Sequence, residues 1–323
     1  MSSLVEVGLG FLVALARRSR LVLPIGIFLG VLFPGLASSF RPFLPLSVIC
    51  LYTFTLILIE PAALAKTVRS RPLLVLAMVV WVLIGAPAGL FVLGRPDVID
   101  PWLHEQLILT AASPPIFSAA AFALMLGLDA ALALAVTLAA TALLPLTMPP
   151  LVLTTLGLDL GLSSAAFFSR LALFIGAGFL ISWLVRRRVS AVRLRAWSEP
   201  IRGLIVLSML AFGVAVMDGV TAQLAKDPLI LMTTVAALFL VCLALQLFGT
   251  LVFSWTGPQV ALTAGLVTGY NNLGVVVAAM SGVASDRLII FLGLAQFPIY
   301  ILPMVMAPVL RRWIRFDVGK VEG

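Results

Sequence analysis

The chain of 323 residues is 62% hydrophobic and only 11% charged, and its mean hydropathy is +1.20. Soluble domains carry about 25% charged residues, so this composition excludes a soluble globular protein and indicates a multi-pass membrane protein with no soluble domain. The net charge of +8 comes from short basic clusters between apolar segments, a pattern that indicates membrane topology rather than nucleic-acid binding.

Ten apolar segments are predicted to cross the membrane as helices, because each approaches the roughly 20 residues that span the hydrocarbon core. The fold class is therefore an all-α polytopic membrane protein. At the start of the chain the basic residues follow the apolar stretch instead of preceding it, so no cleaved signal peptide is expected. In chain order the predicted spans are 21–38, 43–64, 72–93, 105–127, 130–153, 164–185, 201–219, 228–252, 258–282 and 287–310.

The basic residues predict the orientation of these spans, since Lys and Arg resist translocation. With the amino terminus inside, 16 of the 21 Lys and Arg residues fall on the cytoplasmic side, against four outside. Both termini are therefore predicted to be cytoplasmic in a cell membrane, of the bacterial inner-membrane type. The cytoplasmic set is Arg17, Arg18, Arg20, Lys66, Arg69, Arg71, Arg186, Arg187, Arg188, Arg193, Arg195, Arg202, Arg311, Arg312, Arg315 and Lys320.

Two spans carry interruptions that fit poorly in lipid. Ser113-Pro114-Pro115 removes two backbone N–H donors from the fourth span, and the run from Gly269 to Gly274 places Tyr270, Asn271 and Asn272 in the ninth. Burying an amide without a partner costs a few kcal/mol, so such clusters line a cavity, bind a ligand or join helices. Paired interruptions in corresponding halves indicate a transporter binding site.

The two halves of the chain also correspond to each other. A shift of 153 residues places Pro145 on Pro298 and Ser118 on Asn271, so that the fourth and ninth spans coincide. Five spans per half is an odd number, which forces the halves into opposite orientations. The sequence therefore predicts two inverted repeats, 1–158 with spans one to five and 159–323 with spans six to ten.

Four short segments together resemble the bile acid:sodium symporter family, which belongs to a wider group with arsenite-efflux carriers and related transporters. They are Leu58-Ile59-Glu60-Pro61, Arg71-Pro72-Leu73, the run from Ser113 to Asp129, and Asn271-Asn272-Leu273-Gly274. The resemblance implies ten helices in an inverted repeat, a core and a panel domain, and broken helices four and nine that cross.

This chain departs from the family's sodium ligands. Ungapped counting puts Ala119 and Ala120 at a Ser-Asn pair on helix four, and Val267 at a Glu on helix nine, while Asn271-Asn272 fall at the Gln-Asn that follows. Sodium, a hard cation, prefers several oxygen ligands. Because the carboxylate is lost, sodium coupling is doubtful. The arsenite branch fits no better, since its helix-four Cys is Ser113 here.

Polar residues inside the spans are the candidate site residues. Thr137 and Thr141 lie four apart on one helix face. Arg170 is a basic residue near the start of the sixth span, where a charge inside the membrane suggests a function. The competing interpretation is that its side chain extends to the membrane boundary. The predicted substrate-binding set is Ser113, Ser118, Thr268, Tyr270, Asn271, Asn272, Gln296, Tyr300 and Arg170. The predicted ion-binding set is Thr137, Thr141, Asn271 and Gln246, for Na⁺ or H⁺ as the coupling ion.

The remaining polar residues are given structural roles. Glu60 and Asp129 are predicted to fix helix ends, and His104, near Asp97, Asp100 and Glu105, is predicted to be solvated in an outside loop. Cys50 and Cys242 both lie inside apolar runs, so neither a disulfide framework nor a metal pair is expected.

These patterns favour a secondary transporter that moves a small or amphipathic organic anion by alternating access, without an enzymatic activity or a resident cofactor. No Walker sequence is present to couple transport to a nucleotide. Two alternatives stay open: an ion-independent facilitator or channel, and a non-transporting membrane receptor. An intramembrane enzyme is disfavoured because every Asp and Glu maps to a loop, a helix end or the amino-terminal segment. The identity of the substrate, the direction of transport, and the choice between monomer and homodimer are left open.

Overall fold

The computed structural model describes residues 2–94, 99–155, 162–280, 282–299, 301–302 and 305–306. Its helices are α1 (Ser2–Arg17), α2 (Ser19–Leu32), α3 (Pro34–Phe40), α4 (Leu44–Leu58), α5 (Pro61–Ser70), α6 (Pro72–Val80), α7 (Ala86–Leu93), α8 (Pro101–Ala111), α9 (Ser118–Leu126), α10 (Ala130–Pro149), α11 (Ser164–Arg188), α12 (Ala191–Ala196), α13 (Ser198–Ala215), α14 (Val220–Lys226), α15 (Pro228–Val252), α16 (Pro258–Gly269), α17 (Gly274–Ala279) and α18 (Asp286–Leu294).

Six helical segments among the described residues are long and apolar enough to cross a membrane. They are Pro34–Leu58, Pro72–Leu93, Ala130–Leu153, Ser164–Arg188, Ser198–Lys226 and Pro228–Val252. The chain is thus a helical multi-pass membrane protein, as its composition predicts. The number of ten spans and the orientation of the termini stay predictions.

Proline determines where many of these helices begin, because its fixed φ suits the first helical turn, where its missing N–H is not needed. It also ends the preceding helix, since the residue before a proline disfavours helical geometry. This corrects two predicted spans: 21–38 is interrupted at Phe33, before Pro34, and 43–64 ends at Leu58, where Ile59 is extended and α5 starts at Pro61. Helix α15, in contrast, has the predicted bounds 228–252.

Two compact units make up the chain. The first contains Met1–Glu60, Ala165–Leu231 and Gly274–Leu294, and the second contains Pro61–Ser164, Met232–Leu273 and Ala295–Gly323. Each unit therefore combines segments from both halves of the sequence. The two inverted repeats, 1–158 and 159–323, are a different division of the chain and stay a prediction.

In the first unit, two pairs of helices run in the same direction. Gly26 and Gly30 of α2 pack against the backbone of Leu210 and Val214 of α13, so both helices advance by four residues between these contacts. The absence of side chains at these glycines allows the close approach. Helices α4 and α11 form the second pair: Gly178 packs on Tyr52, and further along both helices Arg186 meets the end of α4.

In the second unit, α10 packs against α5, α6, α9 and α16. One end of this group is held by Asp129, as predicted: its Oδ1 accepts the backbone N–H of Leu132 at 2.9 Å and thereby caps α10, and its Oδ2 pairs with Arg71 at 3.1 Å. The backbone N–H of Asp129 donates to Thr263 of α16 at 3.1 Å. The turn between α9 and α10 is thus tied to the start of α6 and to the second turn of α16.

The prediction of a solvated loop around His104 is wrong. The side chain of Asp100 caps α8 by accepting from Leu103, and Pro101 begins that helix, so His104 lies in its first turn. His104 is buried and packs against Gly94. The prediction gave too much weight to the neighbouring acidic residues and overlooked the helix-start signal of Asp100 followed by Pro101.

Candidate functional site

Both predicted interruptions are present, and both lie in the second unit. Helix α8 ends at Ala111 and α9 begins at Ser118, which leaves Ser113-Pro114-Pro115 outside any helix. Helix α16 ends at Gly269, and Tyr270 has a non-helical conformation with φ −107° and ψ 85°. Neither proline can donate the backbone hydrogen bond that would continue α8.

The two interruptions pair with each other. Ile116 donates its backbone N–H to the carbonyl of Tyr270 at 2.8 Å, and Asn272 donates to the carbonyl of Pro114 at 2.7 Å. Pro115 and Asn271 thereby form an antiparallel bridge. In a membrane protein every buried backbone group needs an internal partner, so each broken segment satisfies polar groups that the other exposes.

The side chain of Asn271 strengthens this pairing. Its Nδ2 donates to the carbonyl of Ser113 at 3.1 Å, with a longer contact of 3.5 Å to the carbonyl of Ala111. Carbonyl oxygens only accept hydrogen bonds, so these partners fix the orientation of the amide. The residue is 1% exposed, and its Oδ1 has no hydrogen-bond partner among the described residues.

Three further residues of the predicted site set carry a buried polar atom without a partner among the described residues: Ser118 Oγ, Thr141 Oγ1 and Gln246 Nε2. Ser118 begins α9, Gln246 faces the Tyr270 hydroxyl group, and Thr141 belongs to α10, which packs against α9 and α16. Buried polar groups are normally paired. Together with Asn271 Oδ1, these atoms comprise one pure donor, one pure acceptor and two hydroxyl groups without a partner among the described residues.

Three other hydroxyl groups of the predicted set donate to backbone carbonyls of the preceding turn. Ser113 donates to Leu109 at 3.0 Å, Thr137 donates to Ala133 at 2.8 Å, and Thr268 donates to Ala264 at 2.7 Å. Such bonds to the preceding turn are a common way to bury a hydroxyl group. Of the two threonines of the predicted set on α10, only Thr141 therefore has a hydroxyl group without a partner among the described residues.

The atoms that a cation could use in this part of the second unit are neutral oxygens. Asn271 Oδ1, Ser118 Oγ and Thr141 Oγ1 carry no formal charge, and Val267 is a fully buried aliphatic residue of α16. A hard cation is held more weakly by neutral oxygens than by a set that includes a carboxylate. These residues would therefore supply only neutral oxygens to a bound ion.

One aromatic ring packs against Tyr270 at the interruption. The ring of Phe122 lies 5.8 Å from that of Tyr270, between centroids, in a tilted arrangement. Tyr270 itself is fully buried. Apolar ring contacts and unpartnered polar atoms therefore occur together at the interruption, as they do in small-molecule sites.

Trp81 is a residue at this site that the sequence did not indicate. It begins a π-helical turn, Trp81–Gly85, between α6 and α7, and its indole N–H donates to Thr268 Oγ1 at 3.1 Å. The ring also packs edge-on against Phe248 at 4.8 Å. The available signal was the indole N–H itself, which needs a partner when it is buried in an apolar span.

Replacing Trp81 with phenylalanine is expected to lower the free energy of unfolding by about 1 kcal/mol, because the hydrogen bond to Thr268 is lost while most of the ring contact is kept. Thermal unfolding in detergent micelles measures this change. The control is Trp255→Phe in the same unit, since Trp255 is largely exposed. An equal effect of both substitutions would contradict a specific role for the Trp81 hydrogen bond.

The remaining predicted site residues are placed as follows. Asn272 and Gln296 are both buried. Arg170 belongs to the first unit, where it donates to the carbonyl of Ala279 at the end of α17, at 3.3 Å. That bond places a positive charge at a helix carboxyl end, where it is favourable. Tyr300 lies outside the described residues.

Comparison with protein-family models and with curated protein sequences finds no match to this chain. The resemblance to the bile acid:sodium symporter family therefore rests on the residues of this chain alone. The activity, the substrate class and the coupling ion that the resemblance implies are proposals.

Proposed function

We propose that this protein is a secondary transporter that moves a small or amphipathic organic anion by alternating access. The observation that carries the proposal is the pairing of the two interruptions in the second unit, which also contains four predicted site residues whose buried polar atoms lack partners among the described residues. Buried amides and broken helices are costly in a membrane and are retained where they serve function.

The chemistry of the interruption favours an anionic solute. The amino end of α9 carries a partial positive charge next to the interruption, and the Gln246 amide beside Tyr270 carries a hydrogen-bond donor. The residues placed at the interruption, Ser113 to Ser118 and Tyr270 to Asn272, include no carboxylate that would repel an anion.

The organisation of the chain into two compact units supports alternating access, since this mechanism needs two bodies that move as wholes. We assign the second unit, with both interruptions, as the core domain and the first unit as the panel domain. Helices α2 and α13 belong to predicted spans one and seven, and α11 and α4 belong to spans six and two. An inverted repeat relates span one to span six and span seven to span two, so it relates the first parallel pair to the second. This relation supports the predicted ten-span architecture.

Thr141 gives the sharpest test of the proposed site. Its hydroxyl group is buried without a partner, so Thr141→Val removes an unsatisfied polar atom and is expected to leave stability unchanged or to raise it by about 1 kcal/mol. Saturable flux of the transported anion should nevertheless fall at least tenfold. Uptake into proteoliposomes and thermal unfolding measure the two quantities.

Thr137→Val is the matched control on the same helix face. Its hydroxyl group already donates to Ala133, so removing it should cost stability slightly and leave the KM for the transported anion within about twofold of the wild-type value. If the Thr137 variant loses transport and the Thr141 variant does not, the assignment of the site is wrong.

The substrate is found first by binding. A thermal-shift screen of organic anions, with and without sodium, detects any ligand that binds the folded state, since stability rises as RT ln(1 + [L]/Kd). A hit that is equally strong without sodium supports uncoupled or proton-coupled transport. A screen in which no anion stabilises the protein, followed by no flux in liposomes, would favour the receptor alternative.

An ion-independent facilitator or channel is the second candidate, favoured by the neutral character of the oxygens of the predicted site residues. Counterflow separates the two, because substrate on the far side of the membrane accelerates exchange through a carrier but not through an open channel. Trans-acceleration of a labelled anion would support the carrier, and its absence at saturating substrate would support the channel.

A further inference from the structure

The end of α11 and the short helix after it bring basic and aromatic side chains together on the surface of the first unit. Helix α11 ends with Arg186, Arg187 and Arg188, and α12 follows after a turn capped by Ser190. We use the name α11–α12 rim for the exposed residues of this region, Trp183, Arg187, Arg188, Val192, Arg193 and Trp197.

The rim carries positive charge that the described residues do not neutralise. Arg186, beside the rim, is used internally, because it donates to the carbonyls of Leu56 and Ile57 at the end of α4. Arg187 lies over the ring of Trp183, at 5.1 Å from its centroid. Arg188 and Arg193 are exposed and have no carboxylate within ion-pair distance in the described part of the chain.

Large apolar side chains are exposed next to these charges. Trp183 is 52% exposed, Trp197 is 50% exposed, and Val192 between them in sequence is 77% exposed. Helix α11 is one of the segments able to cross the membrane, so its basic end lies at a membrane–water boundary. Tryptophan is enriched at that boundary because its ring suits the headgroup region.

We propose that the α11–α12 rim is a binding site for anionic phospholipid headgroups. A guanidinium group binds phosphate in a bidentate manner, and the indole rings of Trp183 and Trp197 fit between the headgroups and the first acyl carbons. Retention of positive charge on one side of the membrane explains why arginines are present here. It does not explain why Arg188 and Arg193 lack a carboxylate partner among the described residues and lie close in sequence to the exposed indoles of Trp183 and Trp197.

The test uses the full-length protein in a neutral detergent, titrated with short-chain phosphatidylglycerol and, separately, with phosphatidylcholine. Native mass spectrometry counts the bound lipids and gives an apparent Kd for each. We expect the wild-type protein to prefer phosphatidylglycerol, and Arg188→Gln with Arg193→Gln to weaken that binding about 25-fold, since each basic group near an anionic surface contributes about fivefold.

Lys66→Gln with Arg69→Gln is the matched control. Both residues are exposed on α5 and are also predicted to be cytoplasmic, and their substitution removes the same charge. Helix α5 contains no aromatic side chain. This control should change the apparent Kd less than twofold. A second pair, Arg188→Lys with Arg193→Lys, keeps the charge and should retain binding within about fivefold.

Two results would overturn the proposal. Equal affinity of the wild-type protein for phosphatidylglycerol and phosphatidylcholine would show that the rim does not select anionic headgroups. Equal weakening by the two Gln pairs would show that binding follows net charge and not this site. Neither outcome depends on transport, so the proposed function is tested separately.

Discussion

Replacing Gly269 with alanine is expected to lower the free energy of unfolding by about 2 to 3 kcal/mol, the cost of overpacking a well-packed interior. Gly269 is the last residue of α16, where that helix crosses α15. An added Cβ atom would overlap Gln246 Cγ, would lie 2.6 Å from the carbonyl oxygen of Cys242 and would lie 3.1 Å from the backbone nitrogen of Gln246. Because two of these atoms are backbone, α15 itself has to move.

The substitution should also impair transport beyond its effect on stability. Gln246 belongs to the predicted ion-binding set and faces the hydroxyl group of Tyr270. A displacement of α15 would therefore move this side chain away from the interruption. Gly176→Ala on α11 is the control, since no atom lies within 4 Å of its added Cβ, and helical alanine is favoured over glycine by about 1 kcal/mol. If the two variants unfold at the same temperature, then α15 does not pack closely on Gly269 of α16, and this prediction is wrong.

The sequence predicted the interruptions because their signals are local. Pro114 and Pro115 lack N–H donors, and Asn271 and Asn272 stand in an apolar run, so each break can be recognised without knowing what surrounds it. The pairing between Ile116 and Tyr270 could not be predicted from the sequence. Hydrogen bonds between segments that lie 154 residues apart depend on tertiary packing, and no residue type is specific for them.

Which predicted site residues have a hydroxyl group available for a ligand depends on the three-dimensional structure. Thr137 and Thr141 are identical in type and lie on one helix face, yet Thr137 donates to its own helix and Thr141 does not. Whether a hydroxyl group bonds to the preceding turn depends on its rotamer and its neighbours. Trp81 was missed for a related reason, because its partner Thr268 lies 187 residues away.

Replacing Asn271 with alanine is expected to have the largest effect on the candidate site. The change removes the donor to the carbonyl of Ser113 and leaves that buried oxygen without this bond, which costs about 1 to 3 kcal/mol. It also deletes Oδ1, the acceptor that has no partner among the described residues. Loss of saturable flux is therefore expected together with a lower unfolding temperature.

Two further variants separate these contributions. Asn271→Asp keeps the shape of the side chain and an acceptor, but an ionised carboxylate cannot donate to the carbonyl of Ser113 and repels its oxygen. It should be at least as destabilising as alanine. Ser113→Ala removes only the local bond from Oγ to Leu109, so it should lower the free energy of unfolding by about 1 kcal/mol or less and leave flux measurable.

The comparison has a clear contrary result. If Asn271→Ala unfolds at the temperature of the wild-type protein and retains flux, then the amide neither holds the two interruptions together nor binds the solute, and the backbone pairs from Ile116 and Asn272 are sufficient. If Asn271→Ala is stable but inactive, the amide serves the solute more than the fold. The combination of unfolding and flux measurements therefore tells whether this buried side chain is retained for structure, for transport or for both.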